Sequence, residues 1–133
     1  MPNPESPESS PKSVLLVEDD DIVRLLTVEV LEELGYRVTA VAEAPPALAL
    51  LGSAEGFDLL MSDVGLPGMS GCELVQAARR LRPQLPVLFA SGYPEQDLLA
   101  EVRARDLQAP TDSITKPFSL ELLRNRVGAL LAD

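Results

Sequence analysis

Ser13-Val14-Leu15-Leu16-Val17-Glu18-Asp19-Asp20-Asp21, residues 13–21, sets four consecutive apolar side chains directly against four consecutive acids. A continuous apolar run bounded by polar residues suits a strand buried on both faces, the usual state of a strand inside a parallel sheet. Asp20 is placed to cap a following helix, in which Val23, Leu26, Val30 and Leu34 recur at helical spacing and Gly35 supplies the stop. The same alternation continues outward from this first unit. Residues 37–41 read as a second strand, 47–51 as a short helix begun by Pro45-Pro46, and 59–61 as a third strand. Ser70-Gly71-Cys72-Glu73 is a capping box opening a helix through Arg82, and residues 86–90 form a fourth strand. Pro94 with Glu95 and Asp97 begins a helix to about Leu107, and residues 113–115 make a short fifth strand. Ser119 then caps a last helix whose apolar positions are Leu122, Leu123, Val127 and Leu130. Strands alternating with helices through short connections predict an α/β fold, a doubly wound, five-stranded parallel sheet with helices on both faces; right-handed crossovers leave few strand orders, and 2-1-3-4-5 is the one expected.

Composition bounds what such a fold can do. With 133 residues the chain holds one ordinary domain, and residues 1–12, rich in Pro, Ser and Glu, read as a flexible tail or linker before a folded domain over 13–133. Eleven basic against twenty-one acidic residues give a net charge of -10, which opposes direct binding of nucleic acid. No apolar run approaches the roughly 20 residues of a membrane helix, so no membrane contact is expected from this chain. A single cysteine, Cys72, and no secretory pattern at the N-terminus predict a cytoplasmic setting. The absence of histidine excludes imidazole metal sites and His-based triads, leaving carboxylates, hydroxyls, lysine and backbone to carry any chemistry.

In doubly wound sheets the functional crevice lies at the carboxyl ends of the strands. Four of those ends carry polar residues: Glu18-Asp19, Asp63, Ser91 and Lys116. Each alone has a plain explanation as a cap, a turn residue, a loop hydroxyl or a solvated cation; their convergence on one edge is what suggests a site. Glu18, Asp19 and Asp63 crowded together would repel one another unless a cation compensates, and hard oxygen ligands select Mg²⁺, Mn²⁺ or Ca²⁺. A Mg²⁺ site of one or two carboxylates is commonly completed by a phosphate, which points to phosphoryl chemistry. Asp63 is the best-placed nucleophile, Lys116 the counter-cation, and Ser91 a hydroxyl donor that bonds a phosphoryl oxygen when one is present.

The runs VLLVEDDD, SDVGLPGMSG, LFASGY and ITKPFS, in this order and spacing, resemble the receiver domain of two-component response regulators, a flavodoxin-like fold. The resemblance covers residues 13 to about 131. It implies that Asp63 accepts a phosphoryl group from a histidine kinase or histidine phosphotransfer protein, in a step requiring Mg²⁺ (with Mn²⁺ as a substitute). It implies Mg²⁺ held by Asp19, Asp63 and the Gly65 carbonyl, with Glu18 acting mainly through water. Ser91 and Lys116 match the hydroxyl and lysine that bind the phosphoryl oxygens, and Pro117 matches the residue after a cis peptide bond. The expected output is a switched contact with a downstream protein target, and the only catalysis expected is of the domain's own phosphorylation and dephosphorylation.

One position departs from the pattern. Receivers often carry Tyr or Phe three residues before the lysine, where this chain has Ser113. The nearest aromatic to Ser91 is Tyr93, in a Phe-Ala-Ser-Gly-Tyr stretch similar to receivers attached to sensor kinases. A switch that moves on phosphorylation, a lid over Asp63, and a packing aromatic all stand open for Tyr93. Two origins also stand open: a stand-alone regulator, or the receiver of a hybrid histidine kinase. Among rival classes, a flavodoxin-like cofactor binder conflicts with the four acids after the first strand, which would repel a phosphate. A metal-dependent phosphatase lacks a second general acid. A degenerate receiver, acting as an interaction module independent of phosphorylation, is the remaining alternative.

Overall fold

The computed structural model describes residues 12–53, 55–63, 71–91, 111–115 and 119–131; for residues 71, 72, 91, 111–113 and 115 it describes the backbone alone. The elements are β1 (Ser13–Val17), α1 (Asp21–Glu33), β2 (Arg37–Val41), α2 (Ala44–Leu51), β3 (Leu59–Asp63), α3 (Gly71–Leu81), β4 (Val87–Ser91), β5 (Thr111–Thr115) and α4 (Leu120–Leu131). The five strands form one parallel sheet in the order β2-β1-β3-β4-β5, the order expected from the sequence. The helix expected over 94–107 lies outside the described residues, as do residues 1–11 of the tail expected over 1–12 and Ser70 of the capping box.

Burial on both faces explains the apolar run of β1. Side chains alternate between the two faces of a strand. Leu15 and Val17 pack with Leu60, Val87 and Phe89 under α2 and α3, which contribute Ala47, Leu51, Leu74 and Ala78. Val14 and Leu16 face the other way, joining Leu59, Met61 and Leu88 against Leu31 of α1 and Leu123, Val127 and Leu130 of α4. All four β1 residues from Val14 to Val17 are buried.

Local chemistry sets the helix ends. Asp20 Oδ1 accepts from the backbone N–H of Ile22 (2.9 Å) and Val23 (3.0 Å), capping α1 as expected. At the other end Gly35 adopts φ +99°, while Tyr36 N–H donates to Leu31 O and Gly35 N–H to Glu32 O. This paired closure needs a left-handed residue, which glycine adopts without steric cost. Ser119 Oγ accepts from Leu122 N–H at 3.0 Å and caps α4.

Several boundaries shift by a few residues: α2 begins at Ala44, with both prolines inside its first turn, β4 runs from Val87 to Ser91, and β5 starts at Thr111. The buried face of α1 also differs from expectation. Thr27 and Leu31 are buried, whereas Leu26 is 54% exposed. Thr27 enters the core because its hydroxyl donates to Val23 O at 2.7 Å, which removes the cost of an unpaired buried polar group. Leu26 turns outward with Ile22 (70% exposed) and Leu25 (60%).

At the amino end of the sheet, Arg82 ties α3 to the link between α2 and β3. Its Nε donates to Leu51 O (3.0 Å), its Nη2 to Ser53 O (3.2 Å) and to Glu55 O, and its guanidinium lies 5.6 Å from the centre of the Phe57 ring. Among the described residues no helix is long and apolar enough to cross a membrane.

Candidate functional site

Strand pairing decides which side chains meet at the carboxyl edge. Val17 of β1 pairs with Ser62 of β3, so the residue after each, Glu18 and Asp63, emerges at the same level on adjacent strands. Asp19 follows at the turn into α1. One oxygen from each of Glu18, Asp19 and Asp63 lies within 4.8 Å of the others. The structure thus brings together the three carboxylates singled out in the sequence.

The turn that carries them is held at several points. Glu18 is 3% exposed. Its N–H donates to Val41 O (3.1 Å), its carbonyl accepts from Arg24 Nη1 (2.9 Å), and its Oε2 accepts from Asp20 N–H (3.1 Å). Arg24 is completed by a 2.6 Å ion pair with Asp21. Asp19 is exposed, and among the described residues no group donates to its carboxylate. On β3, the fully buried Ser62 donates through Oγ to Asp63 O at 2.8 Å.

Three carboxylates this close offer one oxygen each to a single ion. The donor set is oxygen alone and carries up to three negative charges, which suits a hard divalent ion such as Mg²⁺, Mn²⁺ or Ca²⁺. On that chemistry the residues present fit a bound Mg²⁺.

The other expected participants are placed only by the backbone, or not at all. Asp63 pairs with Ala90, which puts Ser91 one residue further along the neighbouring strand at the same edge. Ser91 in turn pairs with Thr115, the residue before Lys116. Lys116 itself, with Gly65, Tyr93 and Pro117, lies outside the described residues. Ser113 sits in β5 opposite Phe89. Sequence reasoning passed over Arg24 and Ser62, whose roles depend on a folded turn rather than on spacing.

Residues 14–128 match the family described as the response regulator receiver domain. The chain belongs to this family. The receiver is 35% identical over 122 residues to the response regulator receiver protein CpdR of Brucella abortus (strain 2308), an alignment covering 90% of this chain and 97% of that protein. It is 36% identical over 124 residues to the sensor kinase CckA of the same organism, covering 92% of this chain but only 13% of the kinase. In fold it matches the receiver domain of sensor histidine kinase PA1611 from Pseudomonas aeruginosa PAO1, with a TM-score of 0.77 over 92% of this chain and 99% of that one, at 22% identity. That structure is described with a magnesium ion coordinated in its active-site cleft. The receiver is therefore a signal-transduction domain of two-component systems with the flavodoxin-like receiver fold.

Proposed function

We propose that this receiver takes a phosphoryl group onto Asp63 from a phosphohistidine donor in a Mg²⁺-dependent step, and that the acyl phosphate switches contacts with a downstream protein. The observation that carries this reading is the approach of Glu18, Asp19 and Asp63 to within 4.8 Å at the meeting of β1 and β3. An Asp63 carboxylate oxygen attacks phosphorus; the P–O bond forms as the P–N bond to the donor imidazole breaks, and the imidazole leaves with its electron pair and takes up a proton. Glu18, Asp19 and Asp63 would hold Mg²⁺, with the Gly65 carbonyl as a further candidate ligand. When bound, Mg²⁺ supplies positive charge to the phosphoryl oxygens. Lys116 supplies the second cation and Ser91 a hydroxyl donor, both roles resting on their positions at the strand ends.

The donor belongs on a histidine kinase or a histidine phosphotransfer protein, as the likeness to the sensor kinase CckA supports. Its approach is supported by the exposed Ile22, Leu25 and Leu26 on the first turns of α1, beside the acidic cluster. An apolar patch next to a site is a natural contact for a protein donor. Exposed Glu29, Glu32 and Glu33 further along the helix favour a donor with basic residues at its rim. A cytoplasmic setting belongs to the same reading, from the single cysteine of the chain.

Intact mass after incubation with Mg²⁺ and acetyl phosphate, beside a chelator control and a phosphohistidine donor, tests the reading. A metal-dependent phosphoryl adduct is expected. No adduct from either donor would leave an interaction module independent of phosphorylation as the better account.

A further inference from the structure

We propose that Arg24 is a positioning residue of the acidic site, locking the Glu18–Asp19 peptide so that the Asp19 carboxylate stays within reach of Glu18 and Asp63. The inference rests on reading that cluster as a cation site. Arg24 Nη1 donates to Glu18 O at 2.9 Å. That carbonyl shares a rigid peptide plane with the Asp19 N–H and Cα, and the Asp20 N–H bond to Glu18 Oε2 holds the plane on the other side of Asp19, so the two bonds together restrict the backbone rotation that sets where the Asp19 side chain departs. Glu18 is tied independently, through its N–H to Val41 O and its carboxylate to Asp20 N–H. Asp19 is different: it is exposed, and no described group donates to its carboxylate, so the turn holds it through its two flanking peptides, one of them fixed by Arg24.

The guanidinium is itself oriented. Nη2 makes a 2.6 Å ion pair with Asp21, one turn back on α1, and the side chain is only 24% exposed. An exposed i,i+3 pair contributes little stability alone. Here it leaves Nη1 aimed at the carbonyl, an arrangement suited to the fork geometry of arginine. Arg24 also brings a positive charge near a site that would bind a cation. Charge alone would weaken cation binding, whereas the hydrogen bond, by preorganising Asp19, strengthens it. The two effects have opposite signs, so an experiment separates them.

Mg²⁺ affinity measured by titration calorimetry on the full chain makes that separation, with Arg24→Met keeping the apolar stem without the donor and Arg24→Lys restoring a donor and a charge. Positioning predicts that Arg24→Met binds Mg²⁺ about fivefold more weakly and that Arg24→Lys recovers most of the loss. Binding by Arg24→Met as tight as wild type, or tighter, would overturn the proposal. Amide hydrogen exchange of a peptide spanning residues 17–21, measured without metal, is the second readout. Faster exchange in Arg24→Met, with the remaining amides unchanged, is expected; unchanged exchange overturns the proposal. A wild-type protein that binds no Mg²⁺ would refute the cation-site reading, while the exchange comparison would still decide whether Arg24 orders the turn.

Discussion

An oxygen of Asp63 lies within 4.8 Å of one of Glu18, although a helix, a strand and a second helix separate the two residues in sequence. The parallel pairing of β1 with β3 creates that approach, and Asp19 adds a third carboxylate from the turn. Asp19 is the exposed member, so its neutralisation disturbs the metal-free fold least. Asp19→Asn is expected to leave the metal-free melting temperature equal or slightly higher, because one repulsion is removed. It should weaken Mg²⁺ binding about tenfold. Thermal melts with and without Mg²⁺ check both, since the melting temperature of wild type rises with metal and that of the variant rises much less.

The Asp20 carboxylate serves α1 instead. With Oδ1 accepting two backbone N–H groups, Asp20→Ala should cost about 1 kcal/mol of stability in urea denaturation. Because the same turn carries Glu18 and Asp19, a modest loss of Mg²⁺ affinity should accompany it.

Arg82 acts at the opposite end of the sheet. Arg82→Ala removes bonds to the carbonyls of Leu51, Ser53 and Glu55 and the cation over Phe57, and is expected to cost about 1–3 kcal/mol. Its phosphorylation by acetyl phosphate, in the folded protein, should match wild type, a comparison readily made by intact mass at a temperature below both transitions.

Ile22 and Leu26 separate donor recognition from chemistry. Replacing both by Ser should slow transfer from a protein phosphohistidine donor about tenfold, from the loss of apolar contact. Phosphorylation by acetyl phosphate, which needs no protein contact, should be unaffected. Equal slowing with both donors would place the effect in the site itself.

How much of this was legible in the sequence depends on whether a feature is local or assembled. The apolar run of residues 14–17 marks a strand buried on both faces, and order 2-1-3-4-5 is the choice among the few that right-handed crossovers allow; both match the structure. The meeting of Glu18, Asp19 and Asp63 followed from that order, because it places the ends of β1 and β3 side by side. The face of α1 did not. Ile22, Leu25 and Leu26 make the helix apolar on its outer side too, so spacing alone favoured Leu26 over Thr27, whose hydroxyl is hidden by a bond within the helix. Arg82 looked like a helix end because its three carbonyl partners gather only once α2, α3 and the link to β3 have packed. In the same way Asp58, unremarkable in sequence, accepts from Ser13 N–H at 2.7 Å across the start of β1.

Asp63 as the phosphoryl acceptor has a direct chemical test. Borohydride reduction of the phosphorylated protein converts an acyl phosphate on aspartate to homoserine, and peptide mass mapping locates it. Homoserine is expected at position 63, dependent on Mg²⁺, with none in Asp63→Asn. Homoserine at another acid, or an adduct that persists unchanged in Asp63→Asn, would contradict the assignment to Asp63.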